Sequence, residues 1–177
     1  AQGGEITNLT NSGYTSTSPQ WVLDGNAILF TTERYGMRAH ASWGSLNDAM
    51  LVFMNQDAYD KFRLSKEDYE HVRQDADGVP DIAACAGEEI PRYAGEAAIE
   101  DKADEKKDEK PKDIVVELKG IQDRILRLTP NSSEMGSAVI SKNGETLYYF
   151  SAFEDKYDLW KMDLRKKETK LLHKMNT

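Results

Sequence analysis

The sequence predicts an all-β protein built from four-stranded antiparallel sheets, and two observations indicate this fold class. The first is a series of four short strand-like runs between residues 136 and 172, joined by tight turns. The second is that part of this series recurs when the sequence is shifted by 119 residues. Four antiparallel strands in meander order are the unit of a β-propeller blade. We therefore predict about two propeller blades plus one extra strand, with an insertion that is partly helical and partly disordered.

The segment from Gly136 to Leu172 carries the clearest pattern. A run ending in Val139 and Ile140 is followed by Asn143-Gly144, the dipeptide that favours a two-residue hairpin turn with both residues at positive φ. The next run, Thr146 to Ser151, is rich in aromatic and β-branched residues, which suit a strand. Two further runs, at 158–164 and 169–172, complete a four-stranded meander.

The recurrence gives the length of the repeat. Leu9 falls on Leu128 and Phe30 on Tyr149, and the two Gly turns, Asp24-Gly25 and Asn143-Gly144, coincide. Leu128 and Leu171 lie 43 positions apart in the second copy, which is the length of one blade repeat. The first copy is 76 residues longer, so it must contain an insertion.

These patterns divide the chain into five parts. Residues 1–18 hold an outer strand at 5–10 from a preceding blade, followed by a crossing, and residues 19–54 form the first three strands of blade one. Residues 55–112 are the insertion. Residues 113–135 hold the closing strands of blade one, at 114–118 and 122–129, and residues 136–177 form blade two.

Within the insertion, Ser65 followed by Asp68 predicts the N-terminus of a short helix that continues through Val72. Residues 100–113 contain seven acids and five lysines with almost no apolar side chains, which predicts a disordered tether or a solvated helix. Carboxylates at Asp75, Asp77 and Asp81 are spaced as in calcium loops. Only three side chains are present and the closing Glu is missing, so a polar turn is favoured and calcium binding stays open.

Composition excludes some classes of partner. The formal charge of −8 argues against binding the nucleic-acid backbone, and no apolar run approaches the length of a membrane span. Cys85 is the lone cysteine and lies among alanines, so it predicts neither a disulfide framework nor a catalytic thiol. The compartment stays open, because cytoplasmic and periplasmic locations both fit.

Catalytic, metal and cofactor sites are not predicted. Ser137 follows a glycine but lacks the second glycine of a nucleophile turn. The histidines do not have the spacing of metal ligands; they are His40, His71 and His173. The tryptophans are expected to pack between blades; they are Trp21, Trp43 and Trp160. The candidate binding residues are Arg34 and Arg38, in the loop after the second strand, because arginine side chains bind carboxylates bidentately.

A family resemblance follows from two sets of residues. Residues 113–124, which include Leu118, Gly120, Ile121, Asp123 and Arg124, resemble a segment of tricorn-type proteases. In those proteins a leucine-x-glycine-isoleucine-x-aspartate-arginine string leads into the closing strand of a propeller blade. Residues 143–149 and 158–160 resemble the blade repeat of tricorn and TolB-like propellers. The resemblance covers about 100 residues and omits 55–112.

This resemblance implies a segment of a six-bladed propeller in a large serine peptidase, where the propeller admits or sorts peptides. The catalytic serine and histidine of that family lie in other domains, so the implied role is noncatalytic. The implied partners are peptides and the remaining blades and peptidase domains. Two alternatives stay open: a freestanding TolB-like module that binds a protein or glycan, and a self-contained hydrolase with an unrecognised site.

An incomplete ring of blades should leave apolar sheet faces uncovered, because repeat units bury their faces only against neighbours. The residues expected to be partly bare are Val139, Leu147, Tyr149 and Trp160. We therefore expect the isolated chain either to self-associate through these faces or to be marginally stable.

Overall fold

The computed structural model describes residues 4–38, 40, 44–77, 114–153 and 156–175, with only the backbone for 73–77. These residues form two four-stranded antiparallel sheets, each in meander order. The first sheet, blade one, contains β1 (Ser16–Val22), β2 (Ala27–Thr32), β3 (Asp48–Phe53) and β4 (Ile125–Arg127). The predicted all-β fold with propeller-like blades is confirmed.

Blade two is continuous in sequence. It contains β5 (Glu134–Ile140), β6 (Thr146–Ala152), β7 (Tyr157–Asp163) and β8 (Glu168–Lys174). Blade one is interrupted, because β4 pairs with β3 although α1 (Gln56–Arg63) and α2 (Lys66–Asp77) come between them in the chain.

The main core lies between the two sheets. Successive side chains of a strand point to opposite faces of its sheet, so every second one points into this core. Leu29 of β2 and Leu51 of β3 lie there in one cluster with Leu147 and Tyr149 of β6. Phe53 extends this core to the helices, since its ring lies 5.6 Å from Tyr59 and 5.1 Å from Phe62 of α1. The insertion therefore begins with a helix that packs against the end of blade one.

Blade one is covered on its other face as well. A second cluster of buried side chains lies there: Phe30, Met50, Val52, Met54 and Ile121. Leu9 packs against this cluster. Blade two differs, because the face turned away from blade one includes Val139, whose side chain is 54% exposed.

The expectation of bare side chains was therefore wrong for two of the four residues. Leu147 and Tyr149 are fully buried, because strand alternation places them on the face that packs against blade one. Trp160 is half-buried against the same core, with its ring centroid 5.0 Å from that of Phe153. Trp21, expected between blades, is 59% exposed on β1, and Trp43 lies outside the described residues.

Two predicted strands are not formed. Residues 5–10 pair with neither sheet, and residues 114–118 are exposed and irregular although Glu117 N donates to Met54 O at 2.8 Å. A strand needs a neighbouring strand to accept its hydrogen bonds, and pattern alone does not supply one. The turn at Asn143-Gly144 is also longer than the predicted two-residue turn. Only Gly144 has positive φ, at 72°, and Ser141 N donates to Thr146 O across the loop.

The helix start predicted at Ser65 is confirmed, since Asp68 N donates to Ser65 Oγ at 3.1 Å. Asp75 and Asp77 lie within α2, so the polar turn predicted to begin there was wrong at these two positions. Asp81, Cys85 and the acidic run at 100–113 lie outside the described residues.

Candidate functional site

The two arginines singled out from the sequence lie in the loop between β2 and β3, at one rim of blade one. Arg34 and Arg38 are both exposed. The Cζ atom of Arg34 lies 5.5 Å from the ring centre of Tyr35, and that of Arg38 lies 5.3 Å from the ring centre of Tyr14. Each guanidinium therefore rests near an aromatic ring, which attracts a cation and restricts its motion. We call residues 33–38 the arginine loop.

Hydrogen bonds hold this loop in place. Leu46 N donates to Met37 O at 3.1 Å, and Arg38 forms an isolated bridge with Ser45. These contacts join the two sides of the connection between β2 and β3. The loop therefore has a defined shape at the position of Arg38.

A carboxylate accompanies the arginines. Thr15 N donates to Glu33 Oε1 at 3.3 Å. The pKa of Glu33 lies below its ordinary value, chiefly because of a hydrogen bond from the Thr15 side chain, then the Thr15 backbone and Ser45, with a smaller contribution from the charge of Arg38. Glu33 is therefore ionised at neutral pH and partly offsets the positive charge of the loop.

Beneath the arginine loop lies an ion pair that the sequence did not predict. Asp48, at the start of β3, is completely buried and accepts hydrogen bonds from Arg127 Nε at 3.0 Å, Thr129 Oγ1 at 2.8 Å and Ser132 Oγ at 2.8 Å. Arg127 Cζ also lies 5.2 Å from the ring centre of Tyr35. This ion pair, of which Asp48 is the buried member, thus connects the arginine loop to the closing strand of blade one.

The glycine-to-arginine string lies at the opposite end of β3. Gly120 adopts a φ of 70°, and residues Ile121–Arg124 form a short 3-10 helix whose Ile121 is buried. Arg124 is only 4% exposed and donates to the backbone carbonyls of Phe53 at 3.4 Å and Lys119 at 3.2 Å, and to that of Glu117. The string therefore ties the end of β3 to the segment that leads into β4.

The other residues considered for catalysis are dispersed. Ser137 is exposed in β5 opposite Phe150, while His40, His71 and His173 are exposed on a loop, on α2 and on β8. Within the described ranges, no group of three His, Cys, Asp or Glu side chains is arranged to hold a metal ion. The helices of this part of the chain are all too short or too polar to cross a membrane.

The chain is similar in structure to part of a solved protein. No family model matches the sequence, and no curated protein matches it. A structure described as the crystal structure of the tricorn protease aligns with 93% of this chain at 8% identity and a TM-score of 0.46. The chain spans 14% of the length of that protein.

Proposed function

We propose that this chain is a noncatalytic propeller segment of a tricorn-like serine peptidase, which binds peptides and positions them for a distant active site. The observation that carries the proposal is the arginine loop, which presents Arg34 and Arg38 at the rim of two stacked blades. The string from Leu118 to Arg124 supports the choice of family, because it leads directly into β4, the closing strand of blade one, as in the family that it resembles.

The arginine loop suits a peptide for chemical reasons. Guanidinium groups donate in a planar fork to carboxylates and to backbone carbonyls, both of which every peptide offers. Aromatic rings beside Arg34 and Arg38 hold the two groups near fixed positions, which lowers the entropy lost on binding. Glu33 lies near Arg38, and its negative charge repels an acidic side chain placed beside it. This repulsion makes the loop selective for where a peptide carries its acidic groups.

Fluorescence anisotropy with labelled peptides tests this proposal. Acidic, neutral and basic peptides of one length are titrated with the chain, and we expect the acidic peptide to bind best. Replacing both arginines (Arg34→Gln with Arg38→Gln) should weaken its binding about tenfold or more, the cost of losing charged hydrogen bonds. Lys170→Gln with Lys174→Gln, on exposed β8, removes the same charge elsewhere and is the matched control.

Equal losses in the two double variants would contradict a peptide site at the arginine loop and leave only a general charge effect. A peptidase assay on the same chain addresses the hydrolase alternative. Turnover that disappears in Ser137→Ala would overturn the noncatalytic assignment.

A second candidate function is an interaction module for another protein or a glycan. The observation that favours it is the outward face of blade two, where Val139 and Tyr157 are exposed. Exposed apolar side chains that share one sheet face favour a protein partner. Binding of a partner that is lost in Val139→Glu but kept in the arginine double variant would favour this candidate.

A further inference from the structure

A cavity lies at the rim of the molecule opposite the arginine loop, and we call it the basal cavity. Its volume is about 280 Å³, and it opens where the first turn of each blade meets α1 and α2. The walls are partly apolar, with Leu23 from blade one, Phe62 from α1 and Tyr69 from α2. The turns approach closely there, since a Cβ atom on Gly144 would lie only 2.7 Å from Leu23 Cδ2.

Positive charge is concentrated around the basal cavity. Lys61, Lys142 and Arg165 line it, while Asp24 contributes a negative charge. The chain as a whole carries a net charge of −8, so this surface differs from the average in sign. A cationic surface on an acidic protein favours an anionic ligand.

Arg165 is a cation of the cavity wall whose guanidinium is held in place by its neighbours. Its Nη1 donates to the carbonyls of Phe62 at 3.0 Å and Leu64 at 2.9 Å, and its Cζ lies 3.8 Å from the ring centre of Tyr69. These contacts fix the guanidinium plane. The Nε atom is buried, yet it has no acceptor among the residues that the structure describes.

A buried N–H without an acceptor is costly, and native structures rarely leave one unpaired. The fixed guanidinium therefore places a positive charge at a defined position in the wall of the cavity. Lys61 adds a second cation beside the same tyrosine, with Nζ 5.9 Å from the ring centre.

We propose that the basal cavity binds a small carboxylate that carries an apolar or aromatic group. The carboxylate pairs with Arg165 and Lys142, and the apolar group lies against Leu23 and Phe62. Pockets for drug-sized ligands span about 300–1,000 Å³, and the basal cavity, at about 280 Å³, lies just below this range. It therefore suits only a small ligand, such as one small acid or the last residue of a peptide. This proposal does not depend on the peptide-binding role of the arginine loop.

Isothermal titration with phenylacetate tests it, with phenylacetamide as the uncharged control of the same shape. We expect saturable binding of the acid and an affinity at least about tenfold lower for the amide. A Gly-Gly-Phe tripeptide and its C-terminal amide distinguish the sources of the carboxylate. Binding of the tripeptide acid indicates a peptide terminus, whereas binding of phenylacetate alone indicates a free acid. Equal binding of acid and amide, or no binding of either acid, would overturn the proposal.

Variants locate the site. Lys142→Gln should weaken phenylacetate binding about fivefold to tenfold, whereas Lys170→Gln, which removes a lysine from exposed β8, should leave it unchanged. Arg165→Lys keeps the charge but loses the planar group that binds the carbonyls of Phe62 and Leu64, so the cation is no longer fixed and we expect a larger loss than for Lys142→Gln. Melting curves show whether each variant folds. If Arg165→Lys does not fold, the comparison of Lys142→Gln with Lys170→Gln still tests the position of the site.

The double variant of the arginine loop (Arg34→Gln with Arg38→Gln) should bind phenylacetate as the parent chain does. Equal effects of Lys142→Gln and Lys170→Gln would refute the assigned position.

Discussion

Arg127 Nη2 lies 2.8 Å from Asp48 Oδ1, and this ion pair joins β4 to β3 on either side of the insertion. Asp48 is fully buried, and hydroxyl groups of Thr129 and Ser132 also donate to it. A buried carboxylate is tolerated only when such a set of donors replaces water. The pair is therefore a condition for closing blade one, because it holds the strand that returns after the insertion.

Replacing Asp48 by Asn should destabilise the chain strongly. The substitution keeps the shape but removes the charge that the hydrogen bonds from Arg127, Thr129 and Ser132 stabilise, and we expect a loss of about 2–3 kcal/mol because Arg127 stays partly exposed to water. Urea unfolding followed by tryptophan fluorescence measures this change. Glu168→Gln, which removes a carboxylate from the exposed pair with Lys170, is the matched control and should change stability by less than about 1 kcal/mol. Similar losses in both variants would contradict a special role for Asp48.

The sequence predicted blade two well and blade one less well, for a physical reason. The strands of blade two follow one another through short turns, so local pattern determines their pairing. In blade one, the closing strand predicted at 122–129 is confirmed as β4, but the same kind of pattern at residues 114–118 predicted a strand that does not form. Asp48 and Arg127 could not be paired from the sequence, because the insertion separates them in the chain. The sequence could not predict the basal cavity either, because the cavity depends on where α1 and α2 pack against the blades.

Arg124 should be required for stability rather than for binding. Arg124→Lys retains the positive charge but cannot reach the carbonyls of Phe53, Lys119 and Glu117 together. We expect a loss of about 2–3 kcal/mol in the free energy of unfolding, because buried acceptors are left unpaired. Arg34→Lys, the same change at an exposed position, should cost less than about 0.5 kcal/mol. A stable Arg124→Lys chain would show that the string does not tie β3 to its neighbours.

Two glycines at positive φ should respond differently to alanine. At Gly120, with φ 70°, an added Cβ would lie 3.6 Å from Asp123 Oδ2, so only backbone strain of about 1 kcal/mol is expected. At Gly144, with φ 72°, the Cβ would also overlap Leu23, and we expect a total of about 2–4 kcal/mol. Thermal melting of Gly120→Ala and Gly144→Ala checks the order. Equal losses would mean that Leu23 moves freely out of contact with the turn.

Asp163 should make stability depend on acid pH. Its Oδ1 accepts from Lys166 N at 2.9 Å and Arg165 N at 3.0 Å in the turn between β7 and β8. The pKa of Asp163 is lowered from 3.8, mainly by the hydrogen bond from Lys166 N, with the backbone of Arg165 and the charge of Lys66 adding to it. Since the folded pKa lies below the unfolded one, the ionised group stabilises the fold above pH 3.8.

That stabilisation is lost as the pH falls through the folded pKa. Asp163→Asn should therefore lower the melting temperature at neutral pH and have a smaller effect well below pH 3.8. Melting curves of the two chains across this range test the sign. A difference that stays constant with pH would contradict an electrostatic origin and leave only the loss of turn geometry.

The outward face of blade two should drive self-association of the isolated chain. Val139, Tyr148 and Lys161 lie side by side across β5, β6 and β7, so the apolar part of this face belongs to β5 and β6. The corresponding face of blade one, with Leu29, is buried against blade two. Because burial of apolar surface contributes about 25 cal/mol per Å², a second copy placed face to face is the occupant we expect. Light scattering should show a mean mass that rises with protein concentration.

A pair of substitutions assigns the association to this face. Val139→Glu places a charge at the centre of the apolar part and should keep the chain monomeric, without disturbing the buried core. Ile6→Glu makes the same type of change at a side chain that is 98% exposed and lies outside both sheets, so association should persist. A chain that stays monomeric at every concentration, with a melting temperature independent of concentration, would show that blade two is stable with this face in water. Loss of association in both variants would instead attribute it to general charge repulsion in a protein that already carries −8.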